Sequence, residues 1–408
     1  MKKQEDNIQI NEIKNKKKSN KKNKSNSLYK GIFIKISNGL LFILLLIYIY
    51  YYFLFPKKVG IPKLRKLNQD YSEISLTFNT EGTKKIINAQ VSPNVIYINE
   101  VDMTSSKDSL EYTFTLGETI IRLIWYNAEF TTCENMFYKF SHMIKADLSK
   151  FDSSNVVTTN QMFFQCGNLK EINLANFDTS SIINMANMFT GCNSLTSIDV
   201  SSFNTSKVEN MYNLFAYNYK LTSVDLSNFD VSKVTDMRHM FYDCFQLSSI
   251  NLSNFNTKSV KTFNTMFRNC QSLTSIDISS FDTSSAINLN GLFYGCNNLE
   301  SINLQNINTS QTTNLNNMFY GCSKLTSLNL SNFEMSNVET MNCMFYGCEK
   351  LEYIDFNNLI TYNSFTDIGS LFSGCKNLKS LDLSFMDISK LTNMEYMFYN
   401  CENLKYLI

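Results

Sequence analysis

The sequence predicts an α/β solenoid, in which short parallel strands form a concave sheet and short helices line the convex side. Three observations lead to this prediction. One 26-residue unit recurs through most of the 408-residue chain. The first half of the unit alternates between apolar and polar residues, and the second half carries apolar residues at helical spacing. A repeat of about 20 to 50 residues is typical of solenoids, whose units stack on their neighbours.

The repeat is easiest to follow through a Phe that comes directly after Met or Leu. Its spacing is 26 residues from Phe137 to Phe345, widens by one residue before Phe372 and returns to 26 at Phe398. Stacking places equivalent residues above one another, so we expect this column to be buried. A second apolar column should also be buried, and it consists of Phe151, Phe177, Phe203, Phe229, Phe255, Phe281, Ile307, Phe333, Leu359 and Met386.

Residues 221–246 illustrate one unit. Leu221, Val224 and Leu226 are apolar and alternate with polar residues, which indicates a strand with one buried side. Val234, Met237, Met240 and Phe241 follow at i, i+3, i+6 and i+7, the spacing of one helix face. Ser232 precedes this stripe in a position suited to an N-cap. The unit therefore predicts a strand, a turn and a helix of two or three turns.

Residues 67–116 should form a small β-rich cap that covers the open edge of the first repeat, because terminal units of a solenoid need such protection. The segments 75–79, 95–98 and 120–125 are rich in β-branched and aromatic residues and read as strands. Residues 117–408 form the array of 26-residue units.

The N-terminal part of the chain predicts a membrane anchor. Residues 1–35 are polar and rich in Lys, with a net charge of +8, and are expected to be a disordered cytoplasmic tail. Residues 36–55 contain no charge and are long enough to cross a bilayer. Residues 56–66 form a basic linker. Because more basic residues precede the apolar segment than follow it, the N-terminus should face the cytoplasm and the repeats the outside. A cleaved signal peptide and a buried core helix are the alternatives.

The distribution of charge argues against nucleic-acid binding. Residues 67–408 carry 21 basic and 33 acidic side chains, a net charge of −12, whereas nucleic-acid binding needs basic surfaces. The chain has only two histidines, His142 and His239, and no phosphate-binding glycine loop. No catalytic site, metal site or cofactor is therefore predicted.

Nine of the 11 cysteines occupy one column of the repeat, namely Cys166, Cys192, Cys244, Cys270, Cys296, Cys322, Cys348, Cys375 and Cys401. The sequence is compatible with two states of this column, namely stacked buried thiols or some disulfides. Asn218 interrupts it.

The recurring pattern LxxIDLSxFxTSxVxxMxxMFxxC resembles the BspA-like leucine-rich repeats, in particular the MF…C subtype of mycoplasma-type surface lipoproteins. The match covers about 117–408. It implies a leucine-rich-repeat horseshoe at the cell surface, a role in adhesion or recognition, and no enzyme activity. The apolar segment 36–55 takes the place of the lipid anchor or cleaved signal that such proteins carry.

The candidate ligand-binding site is the concave face, whose outward strand positions form a column of acidic and amide residues: Asp199, Asp225, Asn251, Asp277, Asn303, Asn329, Asp355 and Asp382. This strip could meet a basic protein, a glycan or Ca²⁺. The alternative is a solvated face whose Asn and Asp side chains bond one another. Accordingly, we expect a membrane-anchored surface protein that binds proteins or matrix, with a structural coat or spacer as the second hypothesis.

Overall fold

A computed structural model describes residues 71–106, 110–357, 359 and 365–408. The predicted tail (1–35), anchor (36–55) and linker (56–66) lie outside the described residues. The part of the chain that is described contains no apolar helix of membrane-spanning length.

The cap is built around a mixed sheet with the strand order β4 (Val101–Asp102), β3 (Val95–Ile98), β6 (Glu118–Tyr126), β1 (Tyr71–Asn79), β7 (Met143–Lys150) and β8 (Glu171–Asn173). Strand β1 lies between β6 and β7 and is antiparallel to both. The three predicted strands are confirmed as parts of β1, β3 and β6. Because β6 belongs to this sheet, the cap extends past residue 116, where the sequence placed its end. The cap elements are β1 (Tyr71–Asn79), β2 (Gly82–Lys85), β3 (Val95–Ile98), β4 (Val101–Asp102), a 3₁₀ turn (Thr104–Ser106), β5 (Glu111–Phe114) and β6 (Glu118–Tyr126).

The cap sheet continues directly into the solenoid. Strand β7 (Met143–Lys150) pairs with β1 of the cap on one side and in parallel with β8 on the other. The cap thereby satisfies the backbone edge that the first coil would otherwise expose, as the sequence predicted. The later strands are short: β8 (Glu171–Asn173), β9 (Ser223–Asp225), β10 (Ser249–Asn251), β11 (Ser275–Ile276), β12 (Ser301–Ile302), β13 (Ser327–Asn329), β14 (Tyr353–Asp355), β15 (Ser380–Leu381) and β16 (Tyr406–Leu407).

Stacking in register is confirmed by the strand pairs. Residues 26 apart along the chain face each other, as in Val224 with Ile250 of β9 and β10. A second parallel ladder of single bridges joins positions equivalent to Asp236 in every coil from Thr132 to Asn393. Each coil is therefore tied to the next at more than one corner.

The helices predicted for the convex side are wrong. Among the described residues, the 3₁₀ turn of the cap is the only helical element. In residues 237–244 the backbone amides alternate between two kinds of acceptor. Those of His239 and Phe241 donate to carbonyls of the next coil, at 3.0 and 2.8 Å. Those of Met240 and Tyr242 close turns onto carbonyls three residues earlier. The segment is a series of β-turns whose amides also form an inter-coil ladder.

The physical reason lies in the periodicity. His239 and Asp243 have φ values of 58°, so a left-handed residue recurs every four residues, as the third residue of the turns 237–240 and 241–244. A helix would need right-handed dihedrals throughout. The turns direct Met237, Met240, Phe241 and Cys244 inward, at the spacing i, i+3, i+4 and i+7 that also marks a helix face. Hydrophobic spacing alone does not distinguish the two structures.

Both apolar columns predicted from the sequence form the core. The aromatic column is buried from Phe137 to Phe372, and successive rings stack, as in Phe241 and Phe267 with centroids 5.6 Å apart and planes inclined by 2°. The second column is buried from Phe151 to Leu359, and Met386 is half-buried.

Candidate functional site

The strand face is the outward surface of the repeated strands, formed in one coil by Ser223, Asp225 and Ser227 and by the equivalent residues of the others. Seven of the eight predicted site residues are exposed on it, and Asp355 is half-buried. Four of the eight, Asp225, Asn251, Asn329 and Asp355, lie within strands. Asp277, Asn303 and Asp382 directly follow a strand, and Asp199 lies outside any strand. The predicted column is thus one continuous line of side chains.

Every residue of this column makes the same local contact. The Oδ1 atom accepts a hydrogen bond from the backbone amide two residues later, at 2.9–3.2 Å. This is an Asx-turn, which turns the chain out of the strand. The sequence-based alternative had these side chains bonding one another; Asn251 does bond Asp225, but the partner common to all eight residues is the backbone. One carboxylate oxygen of each Asp therefore has a structural role.

The same contact explains the charge state of the column. Hydrogen bonds from the hydroxyl and amide of Ser201 hold the pKa of Asp199 below its ordinary value. The amide and hydroxyl of Ser227 lower the pKa of Asp225 in the same way. Asp277 and Asp382 have lowered pKa values through Ser279 and Ser384. These carboxylates are ionised at neutral pH.

The middle of the strand face carries no basic side chain at these three positions from Ser197 to Ser331. Ser occupies both neighbouring positions of Asp199, Asp225 and Asp277 on this face. A basic residue enters the face only near its N-terminal end, where Lys145 pairs with Glu171 at 3.0 Å. The middle of the strand face is accordingly rich in hydroxyl groups and acidic.

Sequence reasoning missed two further corners that recur in most coils, where an Asp or Asn side chain or a Thr hydroxyl accepts the backbone amide two residues later. Asp230 accepts the amide of Ser232 at 2.9 Å, and Asp236 accepts that of Arg238 at 3.0 Å. The signal was available as Asp, Asn or Thr recurring at both positions. A second missed signal is the residue before the column cysteine, which is Gly191, Gly295, Gly321, Gly347 or Gly374 in five units and has positive φ in each.

The column cysteines are free thiols, so stacked thiols rather than disulfides occupy this position. Each donates to a Phe carbonyl of the preceding coil, as Cys244 does to Phe215 at 3.1 Å. Asn218, which replaces a cysteine, donates its amide to the carbonyl of Phe189 at 3.0 Å. These side chains tie coils together inside the core.

Within the described ranges, no three His, Cys, Asp or Glu side chains come together in a metal-binding arrangement. His142 and His239 lie in different parts of the array, and burial lowers the pKa of both.

This geometry defines a parallel β-solenoid of stacked short repeats, in which turns replace the expected helices. The chain belongs to the family described as "Mycoplasma protein of unknown function, DUF285", whose model matches residues 131–248, 217–328, 266–378 and 327–408. The predicted BspA-like repeat class, in the subtype found in mycoplasmas, is thereby confirmed. A comparison with curated protein sequences finds no match.

Several solved structures are similar to this chain. A leucine-rich repeat protein from Bacteroides ovatus has 18% identity and a TM-score of 0.38, covering 72% of this chain and 84% of that one. A leucine-rich repeat protein from Eubacterium ventriosum has 14% identity and a TM-score of 0.27, covering 59% and 78%. A chain of the Toll–Spatzle complex of Drosophila has 17% identity and a TM-score of 0.30, covering 63% and 33%. All three TM-scores lie below 0.5.

Proposed function

We propose that this chain is a recognition protein that binds other proteins or matrix through the strand face. The observation that carries the proposal is the column of ionised carboxylates among hydroxyls in the middle of this face. Parallel coils repeat at about 4.8 Å, so a partner with regularly spaced basic groups meets several side chains at once. Extended surfaces of this kind are the usual binding sites of solenoid proteins. The proposal assigns no catalytic activity to the chain.

The proposal includes a location. Residues 36–55 would anchor the chain in a membrane, with the N-terminus in the cytoplasm and the repeats on the other side. The uncharged apolar run and the excess of Lys before it support this arrangement. Intact cells treated with protease and probed with an antibody to the repeats should lose the repeat signal. Full protection of the repeats on intact cells, followed by digestion after lysis, would contradict the outward orientation.

The strand face offers a charge-removal experiment that preserves the turns. Asn occupies the column at Asn251, Asn303 and Asn329 and accepts the same backbone amide. The triple variant D199N/D225N/D277N therefore removes three charges without removing an Asx-turn. A matched control, D178N/D230N/D282N, removes three charges at a different corner, where Asn204, Asn256 and Asn308 are equivalent residues.

The measurement is fluorescence anisotropy of a labelled decalysine peptide with the full-length protein, at low and at physiological salt. The strand-face triple should bind about tenfold more weakly than the wild type, because it loses several charge-assisted contacts. The control triple should bind within about twofold of the wild type. Equal losses in both triples would show a general effect of net charge and would count against a site on the strand face.

A structural coat without a specific ligand is the second candidate. One observation favours it: the Asx-turns by themselves explain why Asp or Asn recurs in the column. This candidate predicts that the strand-face triple changes neither peptide binding nor the attachment of cells to matrix. A selective loss of attachment in that triple would exclude it.

A further inference from the structure

The turn segment of each coil carries a second column, here called the turn face, that the proposed function does not use; its aromatic and Arg members are exposed or half-buried. This column consists of the residues that directly follow the buried Phe, namely Tyr138, Phe164, Thr190, Ala216, Tyr242, Arg268, Tyr294, Tyr320, Tyr346, Ser373 and Tyr399. From Tyr242 to Tyr346 it is uninterrupted by small residues. At about 4.8 Å per coil, this stretch is roughly 19 Å long.

Arg268 is held between two of these rings. Its guanidinium carbon lies 4.0 Å from the ring centroid of Tyr294 and 5.4 Å from that of Tyr242. Beyond Tyr294 the column continues as a stack, with centroids 4.3 Å apart to Tyr320 and 4.6 Å from there to Tyr346. The planes are inclined by 3° and 6°. The cation is thus positioned before any partner arrives.

Arg268 has no carboxylate partner among the described residues, unlike the other two arginines in that part of the chain. Arg122 pairs with Glu73 at 3.0 Å, and Arg238 pairs with Asp236 at 2.6 Å. The nearby Asp243 accepts a hydrogen bond from Asn269 at 2.7 Å instead. The Nε atom of Arg268 is buried and lacks a hydrogen-bond partner within the described structure. The guanidinium of Arg268 is therefore a cation without an anionic partner in the described part of an acidic repeat region.

We propose that the turn face is a second interaction surface, on which Arg268 binds the carboxylate of an acidic protein segment while Tyr242, Tyr294 and Tyr320 pack against its neighbouring residues. The rings cover the faces of the guanidinium and Nε is buried, so a carboxylate would approach the Nη1 and Nη2 end, which presents paired N–H donors. A stretch of roughly 19 Å accommodates about six residues of extended chain. Clustered Tyr and Arg are the composition of protein-binding hot spots.

The phenols support this geometry. Burial and the adjoining rings of Tyr294 and Tyr346 raise the pKa of Tyr320 to about 12. The hydroxyl is therefore protonated at neutral pH and does not repel an anion. His239, Arg238 and Asp243 are the other titratable groups near Arg268, and Arg238 and Asp243 are engaged as described above.

The test uses variants for which the column itself provides precedents. Ser373 and Thr190 stand at the position of Arg268 and Tyr294 in other coils, so R268S and Y294T should fold with melting temperatures near that of the wild type. The control K233S removes the same charge at a different exposed column, in which Ser181, Ser259 and Ser285 are equivalent residues.

The full-length protein is titrated with fluorescein-labelled hexaglutamate, with hexaglutamine as the uncharged probe and inorganic phosphate as a competitor. We expect saturable binding of hexaglutamate only, weakened about tenfold in R268S and also weakened in Y294T, but within about twofold of the wild type in K233S. The strand-face triple D199N/D225N/D277N should still bind hexaglutamate, so that the experiment tests the turn face independently of the proposed function of the strand face.

Three results would overturn the proposal: no saturable binding of hexaglutamate, an equal loss in K233S and R268S, or displacement of the peptide by equimolar phosphate, which would indicate a simple anion site.

Discussion

The thiol of Cys244 donates a hydrogen bond to the backbone carbonyl of Phe215, 3.1 Å away in the preceding coil. The column cysteines make the equivalent contact, which means that a buried S–H accompanies the backbone ladders between coils. The bond needs the protonated thiol, since a thiolate has no proton to donate. Burial supplies that condition by raising the pKa of Cys244 to about 12.

Thiol reactivity should follow this burial. At pH 8 and under native conditions, we expect a thiol reagent to modify the half-buried Cys343 and Cys401 much faster than the buried column cysteines, because only exposed thiolates react. The measurement is the time course of labelling followed by peptide mapping. Rapid native labelling of Cys192 or Cys244 would contradict the burial, and denaturation should expose all 11 cysteines.

Gly347 distinguishes turns from helices by the sign of a stability change. Its φ is 70°, so Ala there should destabilise the protein by about 1 kcal/mol or more, because a Cβ disfavours left-handed backbone. In a helix the same substitution would stabilise by about 1 kcal/mol. Urea unfolding measures the difference.

The control for this substitution is Gly167→Ala. Gly167 has no positive φ, and a Cβ there would meet its nearest neighbours only at 4.0 Å. We expect a change within about 0.5 kcal/mol. A stabilising effect of Gly347→Ala would restore the helical interpretation of this segment.

The aromatic stack should dominate the core energetics. Phe267 is fully buried, with centroids 5.6 and 5.8 Å from the rings of Phe241 and Phe293. Phe267→Ala should therefore cost about 3–5 kcal/mol. Phe398 belongs to the same column but is half-buried, so Phe398→Ala should cost clearly less. Thermal or urea unfolding followed by circular dichroism compares them, and equal costs would argue against stacking as the source of stability.

The lowered pKa values of Asp199, Asp225, Asp277 and Asp382 predict a loss of stability in acid. A folded pKa below the ordinary value of about 4 stabilises the protein above that pH and ceases to do so as the pH falls through the folded pKa. The melting temperature of the wild type should therefore decrease as the pH is lowered below about 4. In D199N/D225N/D277N that fall should be smaller, because Asn keeps the Asx-turn without titrating. Parallel curves for the two proteins would show that these hydrogen bonds do not favour the ionised form.

The sequence was sufficient to predict the repeat, its register and both buried columns. A strict spacing from Phe137 to Phe345 leaves only stacked coils as a way to bury one aromatic ring per unit. The cap strands were also predicted, because segments such as 95–98 carry a β-rich composition. Strand alternation predicted outward positions for the column from Asp199 to Asp382, and seven of its eight residues are exposed.

Two features could be recognised only from the tertiary structure. The alternation of strand residues shows that Asp225 points outward, but the role of its Oδ1 in an Asx-turn depends on the path of the chain after the strand. The pairing of Arg268 with Tyr294 depends on neighbouring coils, because the two residues are 26 positions apart and meet only after stacking.

Periodicity by itself determined which residues of this protein lie inside, since burying apolar surface requires the same inward positions in any compact coil. Only the tertiary structure decided the backbone that carries them. The amides of His239 and Phe241 find their acceptors in the next coil, and a helix would have satisfied them within its own segment. Hydrogen bonds between coils therefore select turns where local hydrophobic spacing permits both.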